Sequence, residues 1–324
     1  MSAIFHHIVA LPAAALIWLG KQGTRAIATL VFIGIAVPQA GELLKPHVTA
    51  AIFLLLCASF LRVDLGSLRE CLRRPGLVLA ATAWTMFAVP LVSGGFWHLT
   101  GIDLRSPELY LALMLQAVAS PMMAAPALAA VMGLDSTLAL VTLVIGTGLI
   151  PITAPLFAYV FLGSALTLSP FMLGLKLLAI LAGALCVAAA IRWSAGSDAV
   201  KRHTRLIDGL TVVFLFVFVS AVMGNVAGGF LSDPLRTLKL TLLAFAVFFA
   251  LMGVTALVFR KAGYERAMAL GLLVSQRNMG LMLAATDGIL PGTTWLYFAF
   301  SQFPIYLTPQ LLKPLVQRLR PPQA

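Results

Sequence analysis

Apolar stretches long enough to cross a membrane as helices follow one another along the chain. A bilayer core about 30 Å thick requires about 20 apolar residues in a helix. The chain is 61% hydrophobic and only 10% charged, whereas soluble domains are about 45–50% apolar and about 25% charged. We place ten spans at residues 26–44, 47–62, 76–99, 108–132, 136–162, 169–192, 206–228, 237–259, 267–286 and 292–312. The sequence therefore predicts an all-α polytopic membrane protein that lies in a lipid bilayer.

The basic residues indicate the orientation of these spans. The net charge is +11, from 22 Lys and Arg against 11 Asp and Glu. In a soluble chain this excess would suggest nucleic acid, but here the charges lie in short loops, where Lys and Arg mark the cytoplasmic side. With the amino terminus inside, sixteen basic residues fall on the inner side and four on the outer side. We expect both termini in the cytoplasm, a bacterial inner membrane as the location, and no nucleic acid partner.

The ten spans divide into two blocks of five, residues 26–162 and 163–324. Because five is an odd number, the second block enters the membrane from the opposite side, so the blocks would form inverted repeats. Residues 1–25 precede them as a surface or re-entrant segment, because the apolar residues 8–19 lack the basic start of a signal peptide.

The fourth and ninth spans hold corresponding positions in the two blocks, and both have an interrupted composition. Ser120 and Pro121 stand in the fourth span, and the run Ser275-Gln276-Arg277-Asn278 stands in the ninth. A proline has no backbone N–H and clashes with the preceding turn, which predicts a break at Ser120–Pro121. Paired interrupted spans are typical of transporters, in which they form the substrate site near the bilayer midplane.

Arg277 is the most unusual residue of these interrupted spans. The nearest charges along the chain, Arg266 and Asp287, are each roughly 15 Å of helix away. Arg277 is therefore expected near the middle of the bilayer, where a guanidinium must face a polar cavity or a partner.

Several motifs, in their order and spacing, resemble the bile acid/sodium symporter family, whose members carry organic anions. These are residues 41–46 (Gly-Glu-Leu-Leu-Lys-Pro), 73–79 with Pro90, 120–133 with Thr147, Pro151 and Pro155, and 277–281 (Arg-Asn-Met-Gly-Leu). The resemblance implies two inverted five-helix repeats with broken crossing helices 4 and 9. It also implies a panel of spans 1, 2, 6 and 7 that moves against a core of spans 3–5 and 8–10. Substrate would then bind near Ser120, Ser275, Gln276 and Asn278.

The chain departs from the sodium-dependent members of this family at the positions of the ion. Leu273 stands near the place of their ninth-span glutamate, and Arg277 stands where a glutamine is common. Ala124 and Ala125 stand at the fourth-span crossing, where polar sodium ligands are expected. Sodium remains possible, but its usual ligands are missing from the sequence, and we predict no metal and no other cofactor.

Our hypothesis is that Arg277 replaces the coupling cation, holds the broken helices together and attracts the anionic group of a substrate. Alternatively, Arg277 pairs with helix-terminal carbonyls, or it extends to a membrane surface. Asn278 could bond to unwound backbone or contact substrate. Ser120 could cap the second half-helix or contact substrate.

Three further polar residues could line the same site. Gln116 and Thr85 could face the cavity or bond to a neighbouring helix. Asn225 lies in a glycine-rich stretch, which suits either a substrate-facing position on the panel or close helix packing.

Together these features predict a secondary transporter that moves a small organic anion by alternating access, with no protein partner implied. An efflux carrier of the auxin-carrier type is an alternative. An intramembrane enzyme or a receptor is an alternative from another class. We expect no enzyme activity, because a nucleophile with its base, or a set of metal ligands, is not found at a shared depth in the spans.

Overall fold

The structure of the chain, a computed structural model, describes residues 14–19, 36–62, 75–163, 168–224 and 226–318, and the single positions 21, 29, 33 and 166. In chain order the main helices are α1 (Pro38–Arg62), α2 (Pro75–Leu99), α3 (Pro107–Val118), α4 (Ala125–Val131), α5 (Ser136–Leu162), α6 (Pro170–Ala195), α7 (Thr204–Ser232, with residue 225 not described), α8 (Pro234–Val258), α9 (Tyr264–Ser275), α10 (Met279–Ala285) and α11 (Gly292–Arg318). Within these ranges the regular structure is helical, and one isolated bridge joins Pro121 to Arg277. The protein is therefore all-α, as the sequence predicts.

Six of the helices described, α1, α2, α5, α6, α7 and α8, are long and apolar enough to cross a membrane, with mean hydropathies of 1.7 to 2.4. At most half of the residues in the apolar part of each helix are buried in the protein. In the most apolar part of α8 only 22% of the residues are buried, and in that of α6 only 28%. An apolar helix that is not covered by protein needs an apolar solvent, and lipid provides it.

The predicted boundary between the first two spans is wrong. The sequence analysis ended one span at residue 44 and began the next at 47, but α1 continues through both positions. Lys45–His47 forms a 3₁₀ turn, and the N–H of Val48 donates to the carbonyl of Lys45. Pro46 lies at the start of this turn, where a missing N–H breaks no helical bond, so the helix continues past it. Lys45 is thus inside α1 and not in an outer loop. Part of the predicted span 26–44 and most of the segment 1–25 lie outside the described residues.

The chain divides into two compact units, and each unit takes helices from both halves of the sequence. The first unit comprises residues 1–63 and 180–231, and the second comprises 64–179 and 232–324. In the first unit α1 packs against α7, where the backbones of Gly41 and Gly224 meet closely. At the other end of α1, Arg62 forms an ion pair of 2.9 Å with Asp208.

The second unit contains the same pattern of helices twice. Helix α2 and its counterpart α8 each have 25 residues. The short helices α3 and α4 have 12 and 7 residues, and their counterparts α9 and α10 have the same two lengths. The last helices of the two series, α5 and α11, each have 27 residues. The second unit therefore contains two series of helices that match in order and length.

Side-chain contacts repeat along with the helices. The hydroxyl of Tyr110, at the start of α3, donates to the carbonyl of Phe161 at the end of α5, at 3.1 Å. The hydroxyl of Tyr264, at the start of α9, donates to the carbonyl of Val316 at the end of α11, also at 3.1 Å. In each series a tyrosine thus bonds the first half of an interrupted helix to the end of the long helix that follows it.

The close contact between α1 and α7 gives a first testable prediction. A Cβ atom on Gly41 would lie 2.5 Å from Gly224 Cα and 2.7 Å from the Ser220 carbonyl oxygen. Backbone cannot yield as a side chain can, so Gly41→Ala should lower the free energy of unfolding by about 1–3 kcal/mol. Chemical denaturation in detergent micelles measures this.

The matched control is Gly228→Ala in α7, where a Cβ atom meets nothing within 4 Å. This substitution should be neutral or stabilising, because alanine favours the helix by up to about 1 kcal/mol. Equal effects of the two substitutions would contradict the described packing.

Candidate functional site at the helix crossing

The fourth predicted span is broken, as the sequence predicts at Ser120–Pro121. Helix α3 ends at Val118, Ala119 is extended, and α4 begins at Ala125. Pro121 cannot donate a backbone hydrogen bond, and its ring excludes the preceding helical turn. The break therefore exposes backbone groups at mid-span that must find partners within the protein.

The ninth predicted span is also broken, at residues 276–278. Helix α9 ends at Ser275, and Asn278 begins α10 by accepting a hydrogen bond of 3.1 Å from the N–H of Leu281 through its side-chain oxygen. Asn278 is therefore the N-cap of α10, which is the structural alternative of the two roles considered for it.

The two breaks pair with each other through their backbones. The N–H of Met122 donates to the carbonyl of Gln276, and the N–H of Asn278 donates to the carbonyl of Ser120, both at 2.7 Å. These bonds form an antiparallel bridge in which Pro121 lies opposite Arg277. Exchanging the two segments maps one hydrogen bond onto the other, so the bridge has a local two-fold symmetry. It satisfies polar groups that neither break could satisfy alone.

Arg277 is completely enclosed beside this bridge, with only 1% of its surface exposed. Its Nη1 donates to the carbonyl of Ala119 at 2.8 Å, and both Nη atoms lie 3.3 Å from the carbonyl of Thr85. Ala119 directly follows α3, and its carbonyl has lost its helical donor because of the break. The guanidinium thus bonds to helix carbonyls and does not extend to a membrane surface.

The carbonyl of Thr85 is available because of a proline further along α2. Residues Trp84–Ala88 form a π-helical turn, in which the N–H of Val89 donates to the carbonyl of Trp84 five residues earlier. The next donor in this ladder would be residue 90, which would reach Thr85. Pro90 has no N–H, so the Thr85 carbonyl is left for Arg277.

The positive charge of Arg277 has no carboxylate partner in the described part of the chain, where the ion pairs are Arg62–Asp208, His98–Asp103, Lys176–Asp287 and Arg266–Asp135. The carbonyl dipoles at the end of α3 and at Thr85 stabilise the charge in part. The Nε–H is buried and has no partner among these residues. The crossing therefore carries a buried positive charge that the described residues compensate only in part.

The other predicted residues lie around the same crossing but face different helices. Thr85 donates its hydroxyl to Ala81 in its own helix and contributes only its carbonyl to Arg277. Gln276 donates through Nε2 to the carbonyl of Ile305 in α11, at 3.3 Å. Ser275 donates to Leu272 one turn back. Because adjacent residues of an extended segment point to opposite faces, Gln276 and Arg277 serve different sides of the bridge.

Ser120 does not cap α4, so that alternative is wrong. The N-cap position of α4 is Ala124, without a side-chain hydrogen bond. The hydroxyl of Ser120 is buried and has no partner within the described ranges. The four residues between Ser120 and α4 place it too far from the first free N–H groups of that helix.

Of the remaining predicted residues, one bonds to a different helix and one is not described by the structure. Gln116 accepts a hydrogen bond of 2.6 Å from the hydroxyl of Tyr297 in α11, so it bonds to a neighbouring helix. Asn225 lies outside the described residues. The sequence reasoning missed the carbonyl of Ala119 and the role of Pro90, although the five-residue spacing from Thr85 to Pro90 is a signal that could have indicated the latter.

Comparison of the chain with protein-family models and with curated proteins finds no match.

The role of Pro90 gives a second testable prediction. Arg277→Gln should lower the free energy of unfolding by about 2 kcal/mol or more, because two buried carbonyls lose their donor. In a Pro90→Ala background the new N–H can donate to Thr85, so the same substitution should cost about 1 kcal/mol less. Chemical denaturation of the two single variants and the double variant measures this coupling.

Pro155→Ala in α5 is the matched control, since it also removes a proline from a helix of the second unit. Its effect should add to that of Arg277→Gln without coupling. Additive effects for both prolines would contradict the account of the Thr85 carbonyl.

Proposed function

We propose that the protein is a secondary transporter that moves a small organic anion across a membrane by alternating access. The observation that carries this proposal is the crossing of two interrupted apolar helices around the buried Arg277. Broken helices that meet at mid-span are typical of transporter substrate sites, because they place unpaired backbone dipoles where a solute can use them. We further propose the ten-span architecture that the resemblance to the bile acid/sodium symporter family implies.

The repeat within the second unit supports an inverted arrangement. If α3 with α4 counts as one crossing of the membrane, then α2, α3–α4 and α5 make three crossings, and so do α8, α9–α10 and α11. An odd number of crossings brings the connection to the opposite side, so two such blocks would enter from opposite faces. The two-fold bridge between Pro121 and Arg277 is the local symmetry that such a pair of repeats would produce.

The division of the chain into two units supports alternating access. Helices α1, α7 and most of α6 belong to one unit, and α2–α5 and α8–α11 belong to the other. A transporter of this kind works by moving one helical body against another around a fixed site. The unit that contains the crossing is expected to act as the core, and the other as the moving panel.

Arg277 supports coupling without sodium. Free carbonyls at the ends of broken helices are ligands that a sodium ion would use in a transporter. Here Arg277 bonds to the carbonyls of Ala119 and Thr85. The side chain of Leu273 has no oxygen that could bind an ion. A permanently charged guanidinium would repel a sodium ion. It would also bond the carbonyls of the broken helices in place of that ion, and it would stay bound when the substrate dissociates.

The uncompensated charge supports an anionic substrate. Two unit charges about 10 Å apart at an effective dielectric of about 20 interact by about 2 kcal/mol. An anion near the crossing would therefore be favoured, and a cation disfavoured, by about this amount each. The charge bias of the loops leads us to propose the bacterial inner membrane, with both termini in the cytoplasm.

Transport by reconstituted protein tests this function. Proteoliposomes containing the wild-type protein should take up labelled organic acids at the same rate with and without a sodium gradient. Arg277→Gln should reduce uptake at least about 100-fold, because loss of the buried charge removes both the tether and about 2 kcal/mol of attraction.

Arg105→Gln is the matched control, because Arg105 is an exposed arginine of the same unit, and its loss should leave uptake nearly unchanged. Uptake that depends strongly on sodium would contradict the role of Arg277 as a fixed cation. Faster uptake of organic cations than of anions would contradict the proposed substrate class.

A further inference from the structure

The contacts of Arg277 show which part of its guanidinium is left for a ligand. A guanidinium has five N–H donors in one plane. Both Nη atoms lie 3.3 Å from the carbonyl of Thr85, so this oxygen occupies the edge between Nη1 and Nη2. The other N–H of Nη1 points to Ala119, whose carbonyl is 2.8 Å away.

The two remaining donors are neighbours on the guanidinium. They are the Nε–H and the second N–H of Nη2, and they point in parallel from the side edge of the group. Nε has no partner among the described residues, although it is fully buried. An unmade hydrogen bond from a buried charged group costs free energy, so a ligand that supplies the acceptors would be bound with a corresponding gain.

We infer that the side edge of Arg277, formed by Nε–H and Nη2–H, is the recognition element of the transporter and that it binds a substrate carboxylate with both oxygens. This inference rests on the proposed function and adds the chemical class of the substrate. Two parallel N–H groups match the two oxygens of a carboxylate, and this bidentate arrangement is stronger and more directional than a single contact.

The number of free donors on this edge favours a carboxylate over an anion with three terminal oxygens. Residues directly opposite each other in an antiparallel bridge share one face, so the ring of Pro121 lies on the same side as Arg277. A Cβ atom on Gly146 would lie 3.7 Å from Pro121 Cδ and 3.2 Å from Met86 Sδ, so these residues are neighbours there. The side chains of Pro121, Met86 and Gly146 carry no N–H or O–H.

A sulfonate or phosphonate has a third terminal oxygen, for which the two free N–H groups of Arg277 leave no donor. A buried oxygen without a partner weakens binding, whereas a carboxylate has both oxygens paired. A carboxylate and a sulfonate each carry the single negative charge that neutralises the guanidinium, so the third oxygen, and not the charge, distinguishes the two anions. Because Arg277 is 1% exposed, the edge becomes accessible only when neighbouring helices move, as alternating access requires.

Binding of matched ligand sets tests the inference. The protein in lipid nanodiscs is titrated by calorimetry with the carboxylate, the sulfonate and the primary amide of three skeletons: phenylmethyl, cyclohexyl and heptyl. In at least one set the carboxylate should bind about tenfold or more tightly than the sulfonate, and the amide should bind weakest. Equal or tighter binding of the sulfonate in every set in which an acid binds would overturn the inference.

Arg277→Lys provides a second measurement, because lysine keeps the charge but lacks the parallel donors. This variant should lose the preference for carboxylate over sulfonate, while the control Arg105→Lys should keep it. An Arg277→Lys variant that unfolds does not remove the test, since the ligand comparison on the wild-type protein decides by itself. A retained preference in a folded Arg277→Lys variant would overturn the inference.

The outcomes also separate this inference from the proposed function. If sulfonates and carboxylates bind equally and both are transported, the protein is an anion transporter and the side-edge recognition is wrong. If no organic anion of any set binds or is transported, the proposed function is rejected, and the inference with it.

Discussion

Backbone groups that are freed inside a membrane have to be bonded within the protein, because lipid offers no partner. The structure depends on how this requirement is met at one place. Two helices are broken at mid-span, and the freed groups are satisfied by an antiparallel bridge and by the guanidinium of Arg277. Without the arginine, the carbonyls of Ala119 and Thr85 would be buried without donors. Arg277 is therefore both the residue whose burial costs the most free energy and the residue that bonds the carbonyls left without helical donors.

The two chain segments that form the bridge differ in the residues that they place opposite each other. Pro121 and Arg277 face each other across the bridge. One of them removes a backbone donor and creates the break, and the other supplies five side-chain donors. A symmetric backbone thus carries an asymmetric charge. Among the described residues, this asymmetry gives the bridge a single positive group, the guanidinium of Arg277.

The sequence contained enough information to predict the breaks but not their partners. Pro121 predicts an interruption wherever it lies, because its effect on a helix is local, and the distance from Arg277 to other charges predicts its depth. By contrast, Ser120 was considered as a cap because of its residue type, and the spacing to α4 in the folded chain excludes it. Thr85 was considered for its hydroxyl, whereas its carbonyl makes the contact. That contact depends on which face of α2 meets the crossing, and this is a property of tertiary packing.

The boundary in α1 was missed for a related reason, since a lysine next to a proline resembles a loop although a 3₁₀ turn can hold both inside a helix.

The enclosed guanidinium is the central claim, and hydrogen exchange of arginine side chains measures it most directly. The protein is labelled with ¹⁵N-arginine in nanodiscs, and the side-chain signals are followed by NMR after transfer to deuterated buffer. The account predicts one set of Nη signals that stays protected long after all exposed arginines have exchanged, and that is missing from Arg277→Lys. If the signals of Arg277 exchange as fast as those of the loop arginines, the guanidinium is in water and the account is contradicted.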